Sequence, residues 1–450
     1  MGILFGTDGI RGVANSYPMT AEMALTVGRA LATLFARPDG APFIIGQDTR
    51  ISGDMLTHAL AAGICSMGGN VALAGVLPTP GVAHLTSAAK AAAGIVISAS
   101  HNPFQDNGIK IFTSDGYKLS DQTEAEIEAL VLETDLAARA EKVKTPGRVR
   151  VLPDAGLRYV NFLIATAPSG NFLSGCRIVL DCANGATSDV APRLFTALGA
   201  TVTALFNEPD GRNINAGCGS QDPQTLARQV VAQTADIGLA FDGDGDRLVA
   251  VDEKGAPLTG DQVLAVCAKG LQAAGRLKGR GVVSTVMSNM GLKQALAELG
   301  IAHQSAAVGD RYVLEKMLEC GALMGGEDSG HMIFLESHTT GDGLLAALNL
   351  LATVQTEAKP LSQLRRVMTV FPQVTINVAV THKPPIETEP AISDAIRAAE
   401  RVLNGRGRVL VRYSGTQALC RVMVEAPTRE ETERHCRHIA DVVRSRLGAC

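Results

Sequence analysis

Aromatic side chains are scarce in this 450-residue chain: tryptophan is absent, and Phe, Trp and Tyr together make up 4%. Glycine occurs 47 times. That pairing predicts aliphatic cores of Ala, Val, Leu and Ile joined by many tight turns. An excess of one charge is also lacking. With 41 basic and 45 acidic residues the net charge is −4, so no basic excess draws the chain to nucleic acid or an anionic membrane. No run approaches the ~20 apolar residues that span a bilayer. The start offers only Ile3-Leu4-Phe5, too short for a signal peptide, and position 6 is Gly where a myristoylation signal has Ser or Thr. Nine cysteines, from Cys65 to Cys450, form no pair of Cys-x-x-Cys motifs. Their spacing argues against zinc, and their odd count against a complete disulfide framework; a reducing cytoplasm is expected.

The length exceeds one ordinary core and predicts about two to four domains. Three segments share one grammar: a β-branched run, a loop of small polar residues, a helical pattern, a glycine and a second apolar run. They begin at Phe43, Arg177 and Gly281 and end at Val76, Phe206 and Val308. Each reads as strand, helix, strand in a mixed or parallel sheet, which suggests three related α/β domains. A charged helical stretch from Glu124 to Lys144 leads to Pro146-Gly147 and Pro153-Asp154. Gly255-Ala256-Pro257 and the segment Pro360 to Pro372 mark further breaks. The expected domains are therefore residues 1–152, 153–255, 256–368 and 369–450. The last reads as a smaller α+β unit: strand Val374 to Val380, helix Glu389 to Leu403, strand Arg408 to Arg412, strand Leu419 to Glu425, helix Glu430 to Arg446.

The sharpest motif is Asp242-Gly243-Asp244-Gly245-Asp246-Arg247, between the apolar runs Ile237 to Phe241 and Leu248 to Val251. Alternate carboxylates on an extended backbone point one way, and the glycines let the chain curl so that they converge. Close carboxylates repel unless a hard cation joins them. An all-oxygen set favours Mg²⁺ or Ca²⁺, and three carboxylates leave positions for a phosphate oxygen. The run lacks the ~12-residue loop and closing Glu of an EF-hand.

Ser98-Ala99-Ser100-His101-Asn102-Pro103 follows the buried run Gly94 to Ile97. Small hydroxyls at a strand end suit a nucleophile or phosphate carrier. His101 is a candidate acid or base, and Lys110 a candidate to neutralise phosphate or shuttle a proton. Spacing alone leaves a plain capping turn equally open. Gly6 to Gly12 is glycine-rich and carries Arg11, which with backbone amides can meet phosphate; it lacks the Lys-Ser/Thr ending of a P-loop. Gly325 to His331 can grip sugar hydroxyls, although by itself it reads as a tight turn. Arg412-Tyr413-Ser414-Gly415-Thr416-Gln417, with Arg421 beyond, combines guanidiniums and hydroxyls suited to a dianionic phosphate.

Together, and in this order, these loops resemble the α-D-phosphohexomutase superfamily, most closely its phosphoglucosamine mutases. The resemblance runs from Phe5 to about Glu425. The strings Asn213 to Ser220, Val308 to Val313 and Thr339 to Gly343 point to the glucosamine branch. Departures from that branch are Asp328 for Gln, Tyr413 and Gln417 for Pro and Glu, Ala418 for Pro, and Asp222 for His. The resemblance implies three three-layer α/β domains and a smaller C-terminal α+β domain around a central cleft. It also implies interconversion of glucosamine 6-phosphate and glucosamine 1-phosphate through a phosphorylated Ser100 and a bisphosphorylated sugar, feeding amino-sugar nucleotide and cell-wall precursor synthesis. One Mg²⁺ per chain is implied on Ser100, Asp242, Asp244 and Asp246. Lys110, His101, Arg11, Arg247 and His331 are the implied catalytic groups. Glu327 and Ser329 are implied at the sugar, and Arg412, Ser414, Gly415, Thr416 and Arg421 at the idle phosphate. The expected partner is a phosphosugar, with no nucleic acid or membrane, in a monomer or homodimer.

Three other readings stay open on sequence. The same chemistry can serve glucose or mannose phosphates. A metal-dependent phosphatase would carry phosphate on Asp242 and leave Ser100 incidental. A non-catalytic phosphosugar-binding regulator would bind without turnover.

Overall fold

The computed structural model describes residues 3–6, 8–277, 280–414 and 418–448. Its strands form four sheets. The first holds β1 (Phe5–Gly6), β2 (Gly9–Val13), β3 (Phe43–Gln47), β4 (Val71–Val76), β5 (Ala93–Ile97), β6 (Asp106–Phe112) and β7 (Val149–Val151), in the order β1-β2-β6-β5-β3-β4-β7. The second holds β8 (Arg177–Asp181), β9 (Thr201–Leu205), β10 (Ile237–Phe241) and β11 (Leu248–Asp252), in the order β11-β10-β8-β9. The third holds β12 (Val282–Thr285), β13 (His303–Ala306), β14 (Met324–Gly326) and β15 (Met332–Phe334), in the order β13-β12-β14-β15.

One topology recurs in all three. Strands β6-β5-β3-β4, β11-β10-β8-β9 and β15-β14-β12-β13 stand in the same order. In each set two neighbouring pairs are parallel, and one antiparallel hairpin closes the far edge. The hairpins are β5–β6, β10–β11 and β14–β15. Their turns carry Ser100, the Asp242 to Asp246 run and the Glu327 to His331 run. The repeat visible in the strand-helix-strand pattern therefore extends to the placement of the polar loops.

Burial explains the strands. Every residue of β5 and β10 is buried, as expected of central strands covered on both faces. Helices cover the sheets, among them Ala21–Phe35 and Gly53–Ser66. A Cβ on Gly63 would lie 2.1 Å from the carbonyl oxygen of Leu25, so only glycine lets these two helices meet so closely. Caps set other helix starts. Thr259 and Gln262 form a reciprocal capping box, and the Asp342 carboxylate accepts from the Leu345 backbone N–H. The charged stretch after Ser120 is two helices rather than one, Asp121–Glu133 and Leu136–Ala140. Asp135 restarts the second by accepting from the Ala138 N–H.

Contacts divide the chain into two compact units, residues 1–286 with 301–366, and residues 287–300 with 367–450. The first contains the three mixed sheets. The second contains an antiparallel sheet of β16 (Gln373–Ala379), β18 (Leu419–Glu425) and β17 (Arg408–Tyr413), covered by the helices Pro390–Leu403 and Arg429–Leu447. Its core is Val378, Ile392, Leu403, Val422, Val424, Ile439 and Val443 with their neighbours. This matches the strand and helix order expected for the C-terminal region. The described cysteines are all free. Among the described residues no helix is long and apolar enough to cross a membrane.

Candidate active site

Asp242, Asp244 and Asp246 converge. Each offers a carboxylate oxygen, and these atoms lie within 4.8 Å of one another while all three residues are buried. The turn between β10 and β11 brings them together: the Gly245 N–H donates to the Asp242 carbonyl, and Gly245 takes a φ of +72°. Burial and the charges of Asp246 and Asp244 push the Asp242 carboxyl well above its usual range. Asp244 moves the other way. Against the cost of burial, the Lys110 ammonium and the Thr79 hydroxyl, at 2.8 and 2.6 Å, hold its carboxyl below the usual value. Asp244 Oδ1 and Asp246 Oδ1 are buried and find no hydrogen-bond partner in the protein. Buried oxygens that the protein does not satisfy, in an all-carboxylate set, fit a hard divalent cation.

Ser100 faces this cluster. It sits just beyond β5 with a φ of +53°, and its Oγ donates to Asp242 Oδ2 at 2.6 Å. His101 Nδ1 lies 3.3 Å from Ser100 Oγ. Burial, and then the positive charges of Arg247 and Arg11, hold the His101 imidazole below its usual value. The hydroxyl, an imidazole and the acidic triad thus share one buried point, contributed by two different hairpins.

Lys110 projects from β6 and is 2% exposed. Its Nζ lies 2.8 Å from Asp244, 3.1 Å from Asp8 and 3.5 Å from Asp246. Burial alone would push the ammonium down, but those carboxylates outweigh it and raise it well above its usual value. Arg11 reaches Asp8 at 2.5 Å and the Ala99 carbonyl at 3.5 Å. Arg247 donates its backbone N–H to Asp242, and its Nε is 3.8 Å from Asp246 Oδ1.

The sugar-loop residues lie in the same unit. Arg247 and His331 are bridge partners, which joins the β14–β15 turn to the acidic turn. His331 is buried with both ring nitrogens lacking hydrogen bonds, and Nε2 is 3.7 Å from Asp310. The Ser329 hydroxyl is likewise buried and unpartnered, while Glu327 accepts from the Gly309 N–H at 3.0 Å. The Asp328 side chain accepts from the Asp261 N–H at the start of the helix Gly260–Ala273. That bond gives the departure from Gln a structural role at a helix N-terminus.

Several polar groups here were not singled out in the sequence. Asp8 binds Arg11, Lys110 and Lys118. Lys118 also pairs with Asp310, which links the N-terminal loop to the residue beside His331. A cavity of about 210 Å³ opens there, lined by Lys118, Asp310, Arg311, His331 and Thr340 among others. Asp8 lay in the glycine-rich loop and Asp310 in the string Val308 to Val313. Their shared partner Lys118 lies more than 100 residues from each, which spacing cannot announce. Thr79 had no signal beyond a Pro-flanked helix start.

In the second unit, Arg412 and Arg421 stand directly opposite one another on β17 and β18. Burial and the neighbouring Arg421 hold the Arg412 guanidinium below its usual value. Arg421 Nε is buried without a hydrogen bond, and the Ser414 carbonyl accepts from Lys383 Nζ at 2.7 Å. Gly415 and Thr416 lie outside the described residues.

Comparison with known proteins agrees with this architecture. The chain matches four families in succession: phosphoglucomutase/phosphomannomutase α/β/α domain I over residues 2–138, domain II over 158–255, domain III over 259–371 and the C-terminal domain over 376–442. It is 58% identical to the phosphoglucosamine mutase of Syntrophus aciditrophicus strain SB over 449 residues, covering 100% of both chains. It is 55% identical to that of Syntrophobacter fumaroxidans, again covering 100% of both. Among solved structures, a Burkholderia thailandensis phosphoglucomutase/phosphomannomutase family protein superposes with a TM-score of 0.80 at 25% identity, over 98% of this chain and 97% of that one. The fold also matches Aspergillus fumigatus N-acetylphosphoglucosamine mutase, solved with GlcNAc-6P and magnesium, with a TM-score of 0.65 at 17% identity over 98% and 96% of the two chains. With all four domain families present in order along its length, the chain belongs to the phosphoglucomutase/phosphomannomutase family, the α-D-phosphohexomutases.

Proposed function

We propose that the chain interconverts glucosamine 6-phosphate and glucosamine 1-phosphate, the activity for which its curated relatives are named. The observation that carries the proposal is the Ser100 hydroxyl, 2.6 Å from Asp242 inside a buried cluster of three carboxylates. A hydroxyl without metal or charge partners would be an ordinary turn residue. One held against such a cluster suits a phosphoryl carrier.

In this reading Ser100 carries a phosphoryl group, and Asp242, Asp244 and Asp246 together with that group would hold one Mg²⁺ per chain. A bound Mg²⁺ supplies Lewis-acid stabilisation of the charge that develops on phosphoryl transfer. The chain's own groups do the rest. A sugar hydroxyl attacks the phosphorus, the bond to Ser100 Oγ breaks, and a sugar bisphosphate forms. The bisphosphate turns end for end and returns its other phosphate to Ser100. Arg247 and Arg11 offset phosphoryl charge. Lys110 neutralises phosphate as an ammonium, and would take the hydroxyl proton only once a cation at the triad offsets the carboxylates that hold its ammonium protonated, with His101 and His331 assisting. Glu327 and Ser329 hold sugar hydroxyls in either orientation. Arg412, Ser414, Gly415, Thr416 and Arg421 hold the phosphate that is not reacting. The domain limits proposed for this arrangement are residues 152, 255 and 368, in a cytoplasmic monomer or homodimer.

The test is phosphorus NMR. Purified protein primed with a sugar bisphosphate and Mg²⁺ receives glucosamine 6-phosphate, with the glucose and mannose phosphates in parallel. The amino sugar should convert fastest, and EDTA should stop it. Preference for glucose or mannose phosphate would keep the chemistry and change the substrate. Release of inorganic phosphate would replace the mutase reading with a phosphatase.

A further inference from the structure

The string Asn213 to Ser220 has no part in the chemistry above, and neither has the buried pair Asp48 and Arg50. Both lie against the serine loop. Ser100 holds a φ of +53°, a conformation that a residue with a Cβ keeps only when its surroundings impose it. Arg50 supplies much of that constraint. Its Nη2 donates to the carbonyls of Ser100 and Asn102 at 2.9 and 2.8 Å, and its Nη1 to those of Asp106, at 2.9 Å, and Pro103. Its Nε meets Asp48 at 2.8 Å. Asp48 in turn accepts from the Ser98 hydroxyl, and that oxygen accepts from the Ser100 N–H at 3.0 Å.

The other half of the clamp comes from the 213–220 string. Asn215 Nδ2 donates to the Ser100 carbonyl at 2.9 Å and to the Asn102 carbonyl at 3.1 Å, the same two oxygens that Arg50 Nη2 binds. Asn215 is itself anchored, with its N–H on the Ala183 carbonyl. The acidic loop passes through the same point. A Cβ on Gly243 would lie 2.6 Å from the Ser100 carbonyl oxygen and 2.8 Å from Asn215 Nδ2.

We propose that Asn215 is a positioning residue for phosphoryl transfer. With Arg50 it fixes the Ser100 and Asn102 carbonyls, so that Ser100 keeps its left-handed backbone and its Oγ stays at Asp242. The catalytic part of this inference rests on the phosphoserine reading; the holding of the loop does not. Without the amide, Arg50 Nη2 alone holds these two carbonyls, which loosens the serine loop and the position of Oγ. Misplacing a reacting atom by ~1 Å costs ~100-fold in rate.

Two variants test this. Asn215→Asp keeps the shape and the tolerance for positive φ, but removes both N–H donors. Asn215→Gly removes the amide and any backbone strain. In both, hydrogen exchange of the peptide over residues 98–106 should quicken. Phosphate uptake by Ser100 from glucose 1,6-bisphosphate and kcat should both fall ~10- to 100-fold, with KM changed less than about twofold. If Asn215 serves only as a turn former, both variants will match wild type, and that result overturns the proposal. Faster exchange with unchanged kcat overturns it as well, because the held loop would then position nothing. A wild-type chain that never accepts phosphate at Ser100 removes the phosphoserine reading, and with it the catalytic role given to Asn215; the exchange measurement then reports only whether the loop is held.

Discussion

The ammonium of Lys110 lies 2.8 Å from the carboxylate of Asp244, the middle member of the acidic triad. A cation bound by the triad is repelled by that ammonium, which sits on Oδ2 of Asp244 and faces Oδ2 of Asp246. Lys110→Met removes one unit of positive charge. Mg²⁺ affinity measured by calorimetry should therefore rise, by ~10-fold. Turnover should fall ~100- to 10,000-fold if Lys110 is the proposed proton-transfer group. Unchanged Mg²⁺ affinity in Lys110→Met would show that the ammonium does not repel the metal.

Ser100→Ala removes the hydroxyl and leaves Asp242 without its 2.6 Å donor. The side chain lost is one oxygen on a loop whose backbone bonds to Arg50 and Asn215 persist. Its Tm should stay within a few degrees of wild type, since a change of ~1 kcal/mol moves Tm by only ~2–4 °C even in a domain of about 150–250 residues. Turnover should vanish, and intact-mass analysis after incubation with sugar bisphosphate should show no added phosphate. Turnover close to wild type would remove Ser100 from the mechanism.

Much of this was legible in the sequence because polar, glycine-rich loops interrupt fully buried apolar strands. The runs Ala93–Ile97 and Ile237–Phe241 announce both the strands and the loops that follow them. The C-terminal α+β order was equally readable from its periodicity. What stayed hidden depends on contacts between distant segments. Lys118 joins Asp8 and Asp310, Thr79 binds Asp244, and Arg50 clamps the serine loop. None of these follows from local spacing, because the fold alone makes them neighbours. The helix break at Thr134-Asp135 was missed because the charge pattern continues across it while the capping Asp135 restarts the helix.

On β17 and β18, Arg412 faces Arg421. Like charges directly opposed across a strand pair are destabilising without a counter-ion. Inorganic phosphate at about tenfold its dissociation constant, compared with chloride at equal ionic strength, should slow hydrogen exchange of residues 408–425. Arg412→Gln and Arg421→Gln should each abolish the slowing while exchange without phosphate stays as slow or becomes slower. If phosphate slows exchange equally in both variants, the arginine pair is not its binding site.

His338 and Asp342 give the first unit two acid responses of opposite sign. The His338 ring is buried, with Nε2 3.0 Å from the Pro80 carbonyl and Nδ1 accepting from the Thr339 N–H. Burial pushes it down to about 4. A histidine depressed in the folded state stabilises the fold above its unfolded value near 6.5, and that stability drains as pH falls toward 4, by ~3 kcal/mol in all. Asp342 is pushed up to about 6, chiefly by burial, and accepts from the Tyr159 hydroxyl at 2.8 Å. A carboxyl raised in the folded state contributes stability below its unfolded value near 3.8 and loses it as pH rises through 6. Between pH 6 and 4 the two therefore offset one another. His338→Gln, less stable than wild type at pH 7, should show a flatter or inverted Tm profile on acidification. Asp342→Asn should show a steeper fall than wild type, because the opposing group is gone. Parallel profiles for all three proteins from pH 7 to 4 would mean that neither group titrates with folding.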